Sequence, residues 1–145
     1  MGSRQRRERR RRRSGEEDDF IDWLDTPEQR AKNAQTNKLL LDSFPELRGS
    51  YDTEDTDPDE DGPHVFYSIV FFPFLERALL NEPDDSPLLH RIFDFLRWLE
   101  QRDAELGFLA TVGVGEFLED EPVLLRRAFP RLGTVMRAAL ESSVD

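Results

Sequence analysis

The stretch that decides the fold is SPLLHRIFDFLRWLEQRDAELGFLATVGVGEFL, residues 86–118. Ser86 can cap a helix, and Pro87 suits the first helical position, where a backbone N–H would have no partner within the helix. Two runs of apolar residues at helical spacing follow, separated by a polar break at 101–104. We therefore predict two antiparallel helices joined by a tight turn. Their apolar positions are Leu89, Ile92, Phe93, Leu96 and Leu99 in the first run and Leu106, Leu109, Val112, Phe117 and Leu118 in the second.

An earlier helix is marked by its cap. Thr26 and Gln29 have the spacing of a capping box, and Pro27 occupies the first helical position between them. Pro45 disfavours helix at the residue before it, because its ring clashes with a preceding helical backbone. We therefore predict a helix from Pro27 to about Phe44.

The most apolar run of the chain lies within residues 63–80 and is compatible with a helix or a buried strand. We predict a helix because the apolar spacing continues to Leu80. Pro73 should kink or interrupt that helix, since proline lacks the backbone N–H that the helix needs. The positions expected to pack are Val65, Phe66, Ile69, Phe72, Leu75 and Leu79.

Two shorter helices are predicted at the end of the chain, one from Pro122 to Phe129 and one over residues 134–141. No run of alternating residues bounded by turns indicates strands. The sequence therefore predicts an all-α fold, in which a single domain of about six helices packs as an irregular bundle or a short solenoid-like stack.

Charge is unevenly distributed along the chain. The formal net charge is −11, yet residues 1–13 hold eight arginines and one glutamate, which leaves −18 on the remainder. We expect residues 1–15 to be a disordered Arg-rich tail and residues 16–145 to form an acidic helical domain. Such a domain attracts basic partners and repels nucleic acid and anionic membranes.

Composition also bears on the compartment. The chain has no cysteine, which excludes disulfides, cysteine nucleophiles and thiolate metal sites. No apolar stretch follows the N-terminal arginines, so the pattern of a signal peptide is missing. The most apolar run is shorter than the roughly 20 residues that a membrane-spanning helix takes. We expect a cytoplasmic protein without a membrane partner.

No catalytic or cofactor-binding motif is evident. His64 and His90 are the two histidines, and neither has a nucleophile or metal-ligand partner at a recognisable spacing. Gly113 and Gly115 form a G-x-G, but Leu118 stands where a phosphate-binding loop needs its third glycine. These glycines mark either close helix packing or a locally weakened helix. We expect a non-enzymatic protein with no cofactor, catalytic residue or metal site.

The loop at 48–62, RGSYDTEDTDPDEDG, holds seven acids between Asp52 and Asp61. Asp57, Asp59 and Asp61, followed by glycine, match the opening of a calcium-binding loop. The twelfth position of that motif should supply a bidentate glutamate, and here it is Ser68. The loop is therefore interpreted as a solvated acidic segment or as a surface that meets a basic partner.

A second candidate surface lies on the first helix of the opening stretch. Phe95 and Trp98 are three residues apart and can be neighbours, but they lie partly off the face that carries Phe93. Either the helix is buried over a wide arc, which we favour, or Trp98 is a partly exposed contact residue. The predicted partner-binding residues are Tyr51, Asp52, Asp55, Asp57, Asp59, Glu60, Asp61 and Trp98.

Several short patterns occur together over residues 39–140. They are FPEL at 44–47, GPHVFY at 62–67, Pro73 with Leu75 and Glu76, RIFDFL at 91–96, GEFL at 115–118 and LGT at 132–134. Together they resemble a family of small, acidic, mostly helical bacterial proteins without an assigned activity. Such proteins are similar in size, charge and architecture to the immunity proteins of bacterial toxin systems, so the resemblance implies a role of that type. It does not extend to the Arg-rich tail.

Two functional hypotheses follow. The first is a non-enzymatic protein-binding domain, of the immunity or regulatory type, that neutralises a basic partner such as a toxin. The alternative is a nucleic-acid-associated accessory protein that acts through the arginines from Arg4 to Arg13.

Overall fold

In a computed structural model, residues 26–144 are described, and they form six helices and no strand. The predicted all-α fold is confirmed. The helices are α1 (Pro27–Ser43), α2 (Pro63–Asn81), α3 (Pro87–Glu100), α4 (the consecutive segments Ala104–Phe108, Leu109–Val114 and Gly115–Glu119), α5 (Pro122–Ala128) and α6 (Thr134–Leu140). Short 3-10 helices lie at Pro45–Gly49, Phe129–Arg131 and Glu141–Ser143. The predictions for residues 1–25 fall outside the described residues.

The described residues divide into two compact units, one up to Val70 and one from Phe71 onward, and the division falls within α2. The first unit contains α1, the acidic loop and the start of α2. The second contains the rest of α2 and α3 to α6.

The N-terminus of α1 forms as its sequence predicts. The Thr26 hydroxyl accepts a hydrogen bond from the Gln29 backbone N–H at 3.1 Å, and Pro27 begins the helix. The Gln29 side chain donates to Asn33 Oδ1 at 2.9 Å, one turn further along the helix. The helix ends at Ser43, and Phe44 is the capping residue, in agreement with the prediction.

The core of the first unit is built from the end of α1, the start of α2 and the 3-10 helix between them. Its buried apolar residues are Leu40, Leu41, Phe44, Leu47, Phe66, Tyr67 and Val70. The buried Tyr67 hydroxyl donates to the Thr36 carbonyl at 2.9 Å. Burial raises the pKa of Tyr67 far above its usual value, so the phenol stays protonated and remains a donor.

The prediction of which α2 residues face the core is wrong at two positions. Val65 and Ile69 are 46% and 42% exposed. Phe66, Leu75 and Leu79 are buried as predicted, and Phe72 is half-buried. The buried side of α2 also carries Tyr67, Val70, Phe71 and Ala78. One residue step rotates a helix by about 100°, and in a segment that is apolar all round the spacing alone does not show which side is covered. Pro73 is exposed, and α2 continues through it without interruption.

In the second unit, α3 follows the prediction closely. The Ser86 hydroxyl accepts a hydrogen bond from the Leu88 N–H at 3.1 Å, and Pro87 begins the helix. All five apolar positions predicted for the first run are buried, and Phe95 is buried with them. The buried arc of α3 is therefore wide.

The other helices of this unit pack around α4. Its first two segments lie against α3, while its last segment contacts α5 and α6. Leu109 and Leu118 are buried as predicted, and Leu106, Val112 and Phe117 are half-buried. The half-buried Phe117 ring stacks on Phe72 of α2, with ring centroids 4.7 Å apart.

The middle segment of α4, Leu109–Val114, is a π-helix that ends where Gly115 restores the α-helix. A Cβ added to Gly115 would meet no atom within 4 Å, so close packing does not explain this glycine. For Gly115, a locally weakened helix therefore fits better than close helix packing. Glycine lowers the cost of leaving α-helical geometry, and π segments appear where the regular ladder is disturbed.

Arginines hold the linker between α2 and α3. The Arg127 guanidinium, on α5, donates to the carbonyls of Leu79 and Glu82, which lie at and just after the end of α2. The Arg131 guanidinium donates to the Asp84 carbonyl at 2.7 Å, and both arginines lie within 3.4 Å of the Asp84 carboxylate. Carbonyls at a helix C-terminus lack partners within the helix, so these guanidinium groups satisfy acceptors that would otherwise be unpaired.

We expect the substitution Arg127→Ala to lower the free energy of unfolding by about 1.5–3 kcal/mol, because hydrogen bonds from a charged donor to two backbone acceptors are lost. Urea unfolding monitored by circular dichroism measures the change. The matched control is Arg126→Ala, at the neighbouring exposed position, which should change stability by less than about 0.5 kcal/mol. Equal effects from the two variants would contradict the role of Arg127.

The N-terminus of α6 is capped by a side chain from another helix. Gly133 stands at the cap position and has no side chain to accept a bond. The Glu100 carboxylate of α3 instead accepts from the N–H groups of Val135 and Met136, each at 3.3 Å. A Cβ at Gly133 would lie 2.2 Å from Glu100 Oε1. A side chain at position 133 would therefore displace the Glu100 carboxylate from this site.

We expect Gly133→Ala to push the Glu100 carboxylate out of this site and to cost about 1 kcal/mol, the usual value of a helix N-cap. Glu100→Ala should cost a similar amount for the same reason. Because both changes remove one interaction, the double variant should be no less stable than either single variant. Additive losses in thermal unfolding would show that Gly133 has another role.

Candidate functional site

The acidic loop, residues 48–62, is folded by its own carboxylates. Asp52 Oδ1 accepts from the Glu54 N–H, Asp57 Oδ1 accepts from the Asp59 N–H, and Asp61 Oδ2 accepts from the Asp57 N–H, each at 2.9 Å. Asp and Asn side chains commonly hold tight turns in this way. Three of the seven acids therefore fix the path of the backbone that carries the others.

Backbone bonds complete two successive turns in the loop. The N–H groups of Asp55 and Thr56 donate to the Asp52 carbonyl, and those of Glu60 and Asp61 donate to the Asp57 carbonyl, at 2.9–3.1 Å. Thr56, at the end of the first turn, is 3% exposed. The segment predicted as a loop therefore lacks a helix but has a defined local structure.

Asn37 anchors this loop to α1. It is fully buried, and its Nδ2 donates to the carbonyls of Pro58 and Asp61 at 3.0 and 2.7 Å. Its Oδ1 has no hydrogen-bond partner among the described residues. Sequence reasoning missed this residue. The available signal was a polar residue one turn before Leu40 and Leu41, on the side of α1 that becomes the core.

Tyr51 lies at the start of the loop, half-buried, with its ring edge against Phe66 at 5.6 Å between centroids. Burial raises the pKa of Tyr51, Arg48 opposes the shift, and the nearby Asp57 and Asp59 add to it. The phenol therefore stays neutral at physiological pH and can donate a hydrogen bond. Of the predicted contact residues, it is the aromatic one within the loop.

The remaining predicted loop residues divide by exposure. Asp52, Asp59 and Glu60 are exposed, whereas Asp55, Asp57 and Asp61 are half-buried. Lys38 of α1 lies 3.8 Å from the Asp59 carboxylate, but both side chains are more than 60% exposed and such a pair contributes little. The structure thus brings all seven predicted loop residues together on one folded segment that is strongly acidic.

The calcium-like spacing of this loop does not form a recognisable metal site. Within residues 26–144, no three histidine or carboxylate side chains are grouped so that they could hold an ion. Asp57 and Asp61, two members of the motif, direct carboxylate oxygens to backbone N–H groups of the loop. The sequence spacing therefore serves turn formation here.

Trp98 belongs to the second unit, whereas the seven loop residues belong to the first. Trp98 is 36% exposed, and its ring lies nearly parallel to that of Phe95, with centroids 6.5 Å apart. The Arg102 guanidinium lies 4.1 Å from the centre of the Trp98 ring. The buried arc of α3 extends to Phe95 and Trp98 lies at its edge, partly exposed, while the role of Trp98 as a contact residue stays a prediction.

Comparison with known proteins places the chain in a family. Residues 37–144 match DUF7674, a domain of unknown function. The chain belongs to this family. The DUF7674 region begins at the anchor residue Asn37 and includes the acidic loop and α2 to α6, while the Arg-rich tail lies outside it. No curated protein and no solved structure matches the chain.

The predicted resemblance to a family without an assigned activity is confirmed by this match. Among the described residues, no helix combines the length and the apolar character needed to cross a bilayer. The arginines from Arg4 to Arg13, on which the nucleic-acid hypothesis depends, lie outside the described residues.

Proposed function

We propose that this DUF7674 protein is a non-enzymatic binding protein that neutralises or regulates a basic partner protein, as immunity proteins do with toxins. The observation that supports this most is the anchoring of the acidic loop by Asn37 and by its own turns. Its negative charges are held on an ordered backbone, so binding would not have to order a flexible segment first. We also propose a cytoplasmic location in bacteria, because of the composition and the resemblance described above.

Electrostatics favour a basic partner over other classes. A cluster of like charges raises the local concentration of an oppositely charged protein and speeds its association. A carboxylate has about four acceptor positions, so a bond from one oxygen to the loop backbone leaves it able to accept from an arginine or lysine. The charges that fold the loop can therefore also take part in recognition.

Aromatic residues would supply the apolar part of the contact. In the loop, Tyr51 offers a ring held against Phe66 and a neutral hydroxyl. In the second unit, Trp98 offers a partly exposed ring with Arg102 over it. Tyrosine and tryptophan are common anchors of protein interfaces because they combine a large rigid surface with a polar group.

The test is capture of the products of neighbouring genes by the tagged protein, followed by binding kinetics at low and high salt. We compare Glu54→Gln/Asp59→Asn in the loop with Glu116→Gln/Asp120→Asn, a pair of exposed acids in the second unit. Both double variants have the same net charge. The loop pair should slow association with a basic partner on the order of tenfold at low salt, and the control pair much less.

Three results would contradict the proposal: no basic protein is captured, binding does not weaken as salt increases, or the two double variants lose the same amount. The last result would assign any effect to the overall charge of the protein. Circular dichroism of both variants checks that the fold is retained.

A further inference from the structure

We draw no further inference here: the strongest candidate, the partly exposed Trp98 on α3 with the Arg102 guanidinium over its indole ring, has nothing in the described part of the structure to show what covers it.

Discussion

Phe93→Asp is expected to abolish the folded state of the second unit. Phe93 is 1% exposed, on the same side of α3 as Leu89 and Leu96. Removing a buried phenylalanine side chain costs about 3–5 kcal/mol through lost burial and the cavity that remains. An ionised carboxylate without a partner adds a desolvation cost of several kcal/mol. The sum is comparable to the whole stability of a typical domain, about 5–15 kcal/mol.

Far-ultraviolet circular dichroism and thermal unfolding measure this effect. The matched control is His90→Asp, which introduces the same residue at an exposed position of the same helix. The control should keep the helical signal and a cooperative transition, with a midpoint near that of the parent protein. A soluble Phe93→Asp protein with unchanged helicity and midpoint would show that the buried side of α3 has been assigned wrongly.

Asn37→Asp is expected to have the second largest effect, about 3–5 kcal/mol of destabilisation near neutral pH. The two side chains have nearly the same shape, so the change introduces no cavity. It replaces the amide that donates to the carbonyls of Pro58 and Asp61 with a carboxylate oxygen. A buried negative charge would then face two carbonyl oxygens, and both of these would lose their donor.

The pH dependence of this variant shows whether the buried charge causes the loss of stability. Burial raises the pKa of a carboxyl group in the folded state above its unfolded value of about 3.9. The destabilisation relative to the parent protein is therefore complete above the raised folded pKa. It decreases as the pH falls through that value, because the protonated acid can donate one hydrogen bond. A pH-independent difference would assign the loss to a cause other than the buried charge.

Asn33→Asp is the matched control, one turn earlier on α1. Asn33 accepts from the Gln29 side chain through Oδ1, and a carboxylate can accept the same bond. The control should change stability by less than about 0.5 kcal/mol. Amide hydrogen exchange gives a local readout, since the N–H groups of Asp55 and Thr56 are bonded within the loop. They should lose protection in Asn37→Asp and keep it in Asn33→Asp.

Asn37→Asp also tests whether partner binding depends on the fold of the loop or on its charge alone. The substitution makes the protein more acidic while removing the anchor of the loop. If recognition depends on the ordered presentation of the carboxylates, partner binding should weaken although the negative charge increases. Unchanged or stronger binding would indicate that charge alone is sufficient.

The positions of the helices were largely predictable from local sequence. The caps at Thr26 and Ser86 form as expected, because an N-cap depends on residues within one turn of each other. The apolar positions of α3 recur at helical spacing with polar residues between them, so its buried side could also be predicted. In α2 the apolar residues surround the helix, so their spacing places Val65 and Ile69 on the wrong side.

The composition of the candidate site was predictable from the sequence, but the contacts that fix the loop in place were not. The concentration of acids at 52–61 is visible in the sequence, as is Tyr51 beside them. The anchoring of that loop depends on Asn37, 21 and 24 residues before the carbonyls it binds. No local pattern relates residues so far apart, because their contact exists only after α1 and the loop have come together.

The sequence by itself determined an all-α protein with capped helices, a strongly acidic loop and an apolar α3, since these properties follow from local propensity and charge. The tertiary structure alone decided which side chains bond the backbone groups of the helix ends and of the loop. Glu100 caps the N-terminus of α6, Arg127 donates to carbonyls at the end of α2, and Asn37 donates to carbonyls of the loop. Each pairs a polar group with backbone 21 or more residues away. Buried polar groups need partners, and the folded chain selects which residue supplies them.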